Sequence, residues 1–403
     1  MNLQGSPTML GRIHPIQMCL FILIELLLVF GKEFSKFHVA GPLYLYDLLL
    51  ALTASPAIIL LFRKKEKFII WPLLALIALS LIYLAYSFLA KIGPLNYMIR
   101  HYALFGYLIL VYLIFNSFAN EETNKMNIQF MILLGILAFV GQLLFHIYNA
   151  VATSGYIEIL FVDFNYLSLM VFPGLFIFQT YLLVLVRNRL KWLLLAIVWL
   201  FSFTMGHHSS TILCTLIVFS AYLILKSGVK TRRYLIPAFG VLIASSFFLI
   251  PQFLDTNSMW RYIYWKYTLK DIIENYFLIF GHGFGAKFSN PEVLEALKLQ
   301  LNSPWMEVRP EEQYLSPMHN SFITMGFHIG FIPSMLVFVP LIRPFKYFFV
   351  RSSDHNSPQK DFLSVSLLSL LFWCSFHVML ELPHSSALFW LMYFTTIYHF
   401  KEK

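Results

Sequence analysis

Long apolar segments separated by short polar ones run along the whole chain. Their length, about 17 to 25 residues, is what a helix needs to cross the roughly 30 Å hydrocarbon core of a bilayer. Helices rather than barrel strands are predicted, because the alternating ten-residue pattern of a membrane barrel is absent from the sequence. The pattern predicts about twelve transmembrane helices, over residues 14–31, 42–62, 68–90, 101–118, 128–149, 166–186, 190–206, 209–225, 234–252, 319–342, 361–382 and 385–400.

One polar segment, residues 253–318, is much longer than the others. It divides the chain into residues 1–252 with nine spans, the long loop itself, and residues 319–403 with three spans. A connection between helices needs far fewer residues, so a folded and functional loop with short helices is expected. Five aromatic residues between Trp260 and Tyr267 open a predicted amphipathic helix that would lie along the membrane interface.

Composition supports an integral membrane protein. Hydrophobic residues make up 59% of the chain, charged residues 12%, and the mean hydropathy is +0.71. A soluble globular domain has about 25% charged residues. The first span has Arg12 as a basic flank, as a signal peptide does, but no small-x-small cleavage site follows, so a retained helix is expected. Cys19, Cys214 and Cys374 lie in apolar segments, which argues against a disulfide framework.

The basic residues give the chain an orientation. Its net charge is +9, and most Lys and Arg residues fall in segments on the same side as the N-terminus. The short loops on the other side hold only Lys32, Lys36, Lys91 and Arg100. Because cytoplasmic loops are enriched in Lys and Arg, both termini are predicted in the cytoplasm and the long loop outside it. The positive charge therefore indicates membrane orientation, and no nucleic-acid partner is expected.

A polar dipeptide, His319-Asn320, opens the tenth predicted span. On a helix that turns 100° per residue, Gly326 and Gly330 would lie within about 20° of His319, and His328 would lie on the opposite face. The glycines form a G-x-x-x-G pair, which lets another membrane helix approach closely. This pattern predicts a packed helix that holds an imidazole at the water boundary. The alternative is a histidine that only caps the helix.

Arg261 and Trp265 lie four residues apart in the long loop, hence on one face of the predicted helix. The indole could therefore orient the guanidinium, and an oriented Arg can grip two phosphate oxygens. An ordinary aromatic belt at the membrane interface is the alternative. The glycine-rich stretch at 281–285 is predicted to be a turn only.

Further polar residues are predicted on the same side of the membrane as His319. His377 and Glu381, four apart, are expected to share a face and to reach the same cavity as His319. Each of these residues alone would be a capping or packing residue, and what favours a site is that all of them fall on one side. The others are Asp163, Asn165, His207, His208, Ser209 and Ser210. Glu25 and Asp47 lie inside early spans, where a carboxylate indicates either a proton pathway or a structural hydrogen bond.

Four motifs occur in this setting. They are F-V-D-F-N-Y-L-S at 161–168, T-M-G-H-H-S-S at 204–210, R-Y-I-Y-W at 261–265, and His319-Asn320 followed after nine residues by Gly330. From about residue 130 onward the chain resembles the bacterial O-antigen ligase and polymerase family, membrane glycosyltransferases that use undecaprenyl-pyrophosphate-linked glycans. It departs from the family pattern at Pro333, where Gly, Thr or Tyr is usual, at Trp265, where Leu is common, and at His207-His208, where Ser-Arg is frequent.

The resemblance implies an all-α, GT-C-like protein of the bacterial inner membrane with its active site facing the periplasm. The donor would be an undecaprenyl-pyrophosphate-linked glycan. The acceptor would be lipid A-core for a ligase, or a lipid-linked glycan for a polymerase, and the departures weaken the ligase relative to the polymerase without excluding either. Direct displacement would invert the anomeric carbon, and no cofactor is expected. Transfer would also be metal-independent, since no Asp-x-Asp motif is present.

The same resemblance implies roles for individual residues. His319 would be the catalytic base and Arg261 would stabilise pyrophosphate charge. Substrate-binding roles would fall to Asn320, Trp265, Lys266, Arg309, His208, Asp163, Asn165 and Glu381. Two other classes compete. A transporter or lipid-glycan flippase suits about twelve spans, but the two halves show no convincing repeat. A structural scaffold would leave His319 and Arg261 without a role.

Overall fold

The computed structural model shows a predominantly helical protein with one short β-hairpin among the residues that it describes. Those residues are 14–30, 37–64, 67–154, 172–206, 209–249, 256–275, 277–301, 309–350 and 357–401.

Nine helices and the hairpin precede the long polar segment within these ranges. They are α1 Pro15–Phe30, β1 His38–Ala40, β2 Leu43–Tyr44, α2 Leu45–Arg63, α3 Trp71–Leu89, α4 Leu95–Phe118, α5 Glu121–Ser154, α6 Phe172–Val184, α7 Lys191–Gly206, α8 Ser209–Lys226 and α9 Val229–Leu249. The remaining helices are α10 Thr256–Glu274, α11 Pro291–Leu301, α12 Glu312–Leu315, α13 Ser321–Ile329, α14 Phe331–Ser334, α15 Ile342–Val350, α16 Pro358–Cys374 and α17 Pro383–His399.

Five helical stretches in the described part of the chain are long and apolar enough to cross a membrane. They are α2, α3, α4, Glu121–Gly141 within α5, and Phe331–Phe348. Their length and composition support the expected helical membrane protein. The number of about twelve spans stays a prediction.

The long polar segment folds around a small apolar core of its own. As predicted, it contains short helices, and α10 covers the expected amphipathic stretch. Ile263 and Tyr264 of α10 pack with Val293 and Leu297 of α11, and Phe327 of α13 joins the same core. The segment is therefore docked onto α13, the helix that follows His319.

The prediction of one helix over residues 319–342 is wrong. The helix α13 ends at Ile329, and the next residue, Gly330, has a φ of 94°, in the region that favours glycine. Beyond α14 the chain continues through two short 3₁₀ turns, Met335–Val337 and Val339–Leu341, before α15. Pro340 lies at the start of the second 3₁₀ turn, where its missing backbone N–H needs no partner.

The G-x-x-x-G pair predicted the close approach of another membrane helix. Instead, the backbone of a loop, residues 279–281, packs closely against this region. A Cβ added at Gly330 would lie 2.2 Å from the carbonyl oxygen of Ile279, and one at Gly281 would lie 2.3 Å from backbone atoms of His328. The backbone N–H of His282 donates to the carbonyl of Phe327 at 2.7 Å. The long segment thus supplies a donor for a backbone carbonyl in the last turn of α13.

The stretch 281–285 is a turn, as predicted, and its amides bond to protein groups. Gly283 donates to the carbonyl of His328 at 3.1 Å, Phe284 donates to Ser87 Oγ at 2.7 Å, and Gly285 donates to His101 Nδ1 at 3.0 Å. The turn therefore fastens α3, α4 and α13 together at one end of the helices.

Proline defines the start of the two C-terminal helices. Pro358 begins α16 and Pro383 begins α17, because proline suits the first helical turn, where an N–H needs no partner. Between them α16 stops at Cys374, and residues 375–382 form turns. His377 and Glu381 therefore do not share a helical face. The helix α17 packs against α4 and α16 in the main core.

Candidate functional site

A cavity of about 590 Å³ opens at the end of the helices where the hairpin, the start of α4, residues 314–319 and the turn before α17 meet. Its aromatic and apolar wall includes Tyr44, Tyr97, Phe288 and Tyr314. The ionisable and polar side chains on the wall include Arg100, His101, His319, Thr324, His328 and Glu381.

Arg100 lies in the first turns of α4 and is held from several sides. Its guanidinium donates to Tyr107 Oη at 3.2 Å and to the backbone carbonyl of Glu381 at 2.9 Å. It lies 4.6 Å from the ring centre of Tyr44 and 4.0 Å from Asp47. Asp47 also accepts from Tyr107 Oη at 2.5 Å. The structural hydrogen bond expected as one role of Asp47 is thus observed.

His101 and His328 face each other across the cavity wall, with ring centres 4.9 Å apart. His101 Nδ1 accepts from Gly285, so Nε2 carries the proton and donates to the carbonyl of Tyr314 at 2.8 Å. His328 Nδ1 lies 3.0 Å from the carbonyl of Gly283 and must donate to it. His328 Nε2 is then a lone-pair acceptor, and it is buried without a partner among the described residues.

His319 stands just before the helix and not on it. Its φ of 49° is uncommon for a residue other than glycine, and its position is fixed by the Trp265 indole, which donates to the carbonyl of Met318. The expectation that His328 lies opposite His319 is therefore wrong, since helical angles do not apply to His319. Both residues line the cavity.

The imidazole of His319 is in an apolar and electropositive setting. Its ring lies edge-on to Trp260 at 5.0 Å, and Nδ1 is buried with no hydrogen-bond partner in the described ranges. Burial, together with the positive charge of Arg261, lowers the pKa of His319 to about 3. His319 is therefore a neutral imidazole at pH 7. An ordinary pKa near 6.5, on which its role as base rested, is not observed.

Asn320 caps α13. Its side-chain oxygen accepts from the backbone N–H groups of Phe322 and Ile323, both at 3.1 Å. These bonds satisfy donors that a helix start otherwise leaves open. The capping role considered for the His319-Asn320 pair thus falls to Asn320, whose side chain is not on the cavity wall.

Glu381 lies in the turn between α16 and α17, outside both helices, and is 9% exposed. Its Oε2 accepts from Ser321 Oγ, whereas Oε1 is buried without a partner in the part of the chain that is described. Burial raises the pKa of Glu381 to about 7, although the hydrogen bond from Ser321 acts in the opposite direction. The cavity thus contains a carboxyl group that changes its charge near neutral pH.

The other predicted site residues fall into three groups. Arg261 and Trp265 lie on α10 beside residues 318–319 but not on the cavity wall. Lys266 and Arg309 are exposed, and the structure does not bring them to the cavity. His208, Asp163 and Asn165 lie outside the described residues.

His377 is next to the site through its backbone. Its carbonyl oxygen lies 3.1 Å from Ser321 Oγ, whose proton goes to Glu381, and its Nε2 lies 2.7 Å from Ser210 Oγ. The ring stacks on Trp373 at 3.8 Å. His377 therefore supports the turn that holds Glu381, and of the pair expected to reach the cavity only Glu381 lines it.

Sequence reasoning missed Arg100 and His101. A signal was present, because Arg100 is one of few basic residues in the short loops on the sparsely charged side, and a histidine follows it at the start of a span.

Among the described residues, no three His, Cys, Asp or Glu side chains are grouped so as to hold a metal ion. Comparisons with models of known protein families, with curated proteins and with solved structures find no match to this chain.

Proposed function

We propose that the chain is a membrane glycosyltransferase that moves a glycan from undecaprenyl pyrophosphate to a sugar hydroxyl. The observation that supports this most is the cavity in which Arg100, His319 and Glu381 meet at one end of the helices, under a folded polar segment. Glycan transfer requires a proton acceptor for the hydroxyl and cationic groups for the departing pyrophosphate, and both kinds of group lie in or beside this cavity.

Arg261 is the proposed partner of the donor pyrophosphate. It approaches His319 closely enough to lower the pKa of the imidazole. A bound pyrophosphate would neutralise that positive charge, so His319 could then hydrogen-bond to a phosphate oxygen at little electrostatic cost. Arg100 would fix the turn that carries Glu381, through the backbone carbonyl of that residue. Displacement by the acceptor oxygen inverts the anomeric carbon and releases undecaprenyl pyrophosphate.

The proposal includes a location and two acceptors. The chain would lie in a bacterial inner membrane with the cavity facing the periplasm, in keeping with the distribution of Lys and Arg in the sequence. The acceptor would be lipid A-core, as for an O-antigen ligase. The alternative acceptor is a second lipid-linked glycan, as for an O-antigen or exopolysaccharide polymerase.

Transfer by the purified full chain in detergent tests this function. The substrates are radiolabelled lipid-linked glycan and acceptor lipid extracted from the source strain with the gene deleted. We expect labelled glycan on the acceptor, although detergent abolishes any membrane potential that a transporter would use. Absence of transfer with both acceptor classes would refute the proposal. Gel analysis of the deletion strain separates the alternatives, since loss of a ligase leaves core without repeats and loss of a polymerase leaves one repeat.

A further inference from the structure

Two residues that line the cavity each carry a lone pair without a protein partner. One belongs to Glu381 Oε1 and the other to His328 Nε2, and both atoms are buried and unbonded within the described ranges. Both side chains are at least nine-tenths buried. Buried polar atoms in native proteins are nearly always hydrogen-bonded, and the exceptions need an explanation such as a bound ligand.

The chemistry of these two atoms indicates what the ligand offers. His328 Nδ1 donates to the carbonyl of Gly283, so Nε2 can only accept while the imidazole is neutral. Glu381 Oε2 is occupied by Ser321 Oγ, so Oε1 is the carboxylate oxygen that remains available to accept. Two acceptors on one wall suit a ligand that presents hydroxyl donors. A phosphate group, which has acceptor oxygens only, does not match them.

We propose that this cavity is the binding site of the acceptor sugar, in which Glu381 takes the proton of the attacking hydroxyl and His328 accepts a hydrogen bond from a neighbouring hydroxyl. This inference rests on the proposed glycosyltransferase function. In the transfer step the O–H bond of the acceptor breaks and its proton goes to Glu381 Oε1. The acceptor oxygen forms a bond to the anomeric carbon, and the bond from that carbon to the phosphate oxygen breaks with its electron pair. The protonated Glu381 then releases its proton to water.

The surroundings of Glu381 suit proton uptake near neutral pH. Burial favours its neutral form, and the hydrogen bond from Ser321 favours the charged form. Arg100 holds the backbone carbonyl of Glu381, which fixes the turn that carries it. Titratable and charged groups face the site from every surrounding element. They are Tyr44 of the hairpin, Asp47 of α2, Tyr97, Arg100 and His101 of α4, Tyr314 of α12, His319, His328 of α13, Cys374 of α16 and His377 of the turn.

Donor and acceptor would then approach His319 from different directions. Arg261 is on α10 and away from the cavity wall, whereas Glu381 and His328 form part of that wall. His319 lines the cavity and is also close to Arg261. The reacting carbon would lie near His319, between a phosphate subsite at α10 and a hydroxyl subsite in the cavity.

The test is Glu381→Gln in the purified full chain. Glutamine retains an oxygen for Ser321 but replaces the accepting Oε1 by an amide that cannot take a proton. We expect transfer to fall by roughly 10²–10⁴-fold at every pH from 6 to 9, with donor binding and membrane insertion unchanged. Glu295→Gln, the same substitution on the exposed face of α11, is the matched control and retains the wild-type rate.

A second variant, Ser321→Ala, keeps the carboxyl but removes a hydrogen bond that favours its charged form. The acid limb of kcat/KM should therefore move to higher pH, whereas a merely structural role of Glu381 would change the rate without moving this limb. If Glu381→Gln does not insert in the membrane, the pH position of the acid limb of kcat/KM in Ser321→Ala tests the inference instead. Wild-type activity in Glu381→Gln, or an unmoved limb in Ser321→Ala, would overturn the inference and leave the proposed function standing. An inactive wild-type chain would overturn both.

Discussion

The guanidinium of Arg100 donates a hydrogen bond to the backbone carbonyl of Glu381 at 2.9 Å. This contact joins the start of α4 to the turn before α17, two points far apart in the sequence. Because the same guanidinium also bonds to Tyr107 and faces Asp47, the turn that carries the cavity carboxyl is attached to a rigid helix. The guanidinium of Arg100 therefore helps to fix the position of Glu381.

Replacing Arg100 tests this link. Arg100→Ala removes the cation beside Asp47 and frees the carbonyl of Glu381, so the free energy of unfolding should fall by roughly 1–3 kcal/mol, the typical cost of leaving buried hydrogen-bonding groups unpaired. Thermal unfolding in detergent measures this, and glycan transfer should decrease as well. Arg233→Ala, at an exposed position of α9, is the control and should unfold like the parent. Unchanged unfolding in Arg100→Ala would mean that the contact does not hold the turn.

The sequence predicted the helical membrane character and the short helices of the long segment, because hydrophobic period and length are local properties. It also singled out His319 and Glu381, whose polarity is conspicuous beside apolar runs and which both line the cavity. It failed at 319–342, where an unbroken apolar run suggested one helix. The break depends on Gly330. Because glycine has no side chain, the backbone carbonyl of Ile279, from a distant segment, can pack directly against it.

The site was predictable only in part for the same reason. Arg100 reaches Glu381 through tertiary packing, and no local pattern reveals a partner so distant in sequence. The pKa of His319 depends on burial and on Arg261 of α10, so its ordinary value in solution was a poor guide. Helical angles misplaced His328 relative to His319, because the helix begins only at Ser321.

Arg261 should matter through its shape as well as its charge. Lysine lacks the planar fork that bonds two phosphate oxygens. We therefore expect Arg261→Lys to lose most glycan transfer while the protein remains in the membrane, as measured by transfer per amount of inserted protein. Full activity in this variant would assign Arg261 the role of an interfacial anchor.

The orientation can be measured with introduced cysteines. In a background with Cys19 replaced by Ser, a membrane-impermeant maleimide added outside should label Glu295→Cys on exposed α11 and spare Lys230→Cys in the first turn of α9. The reason is the enrichment of basic residues on the side that carries Lys230. The reverse labelling pattern would place the cavity on the cytoplasmic side and contradict the periplasmic site.

Removing the imidazole of His319 distinguishes two possible proton acceptors. His319→Ala should lower transfer by about 10²–10³-fold, the loss typical of a missing hydrogen-bonding group at a reacting centre. The acid limb of the pH profile should persist in this variant if it reports Glu381, whereas it should vanish if His319 is the base. Parent-level transfer by His319→Ala would leave His319 without a role in the reaction.

The carboxyl of Glu381 should also make stability depend on pH. Its pKa is raised from 4.5 to about 7 in the folded protein, so between these values the folded state holds a proton that the unfolded state has released. The folded state binds more protons, hence stability falls as pH rises from about 4.5 to 7 and is level above that range. The difference corresponds to roughly 3 kcal/mol. Glu381→Gln removes the ionisation, so its Tm in detergent should exceed that of the parent above pH 7 and converge with it near pH 5. Parallel Tm curves for the two proteins across this range would show that Glu381 is not the titrating group.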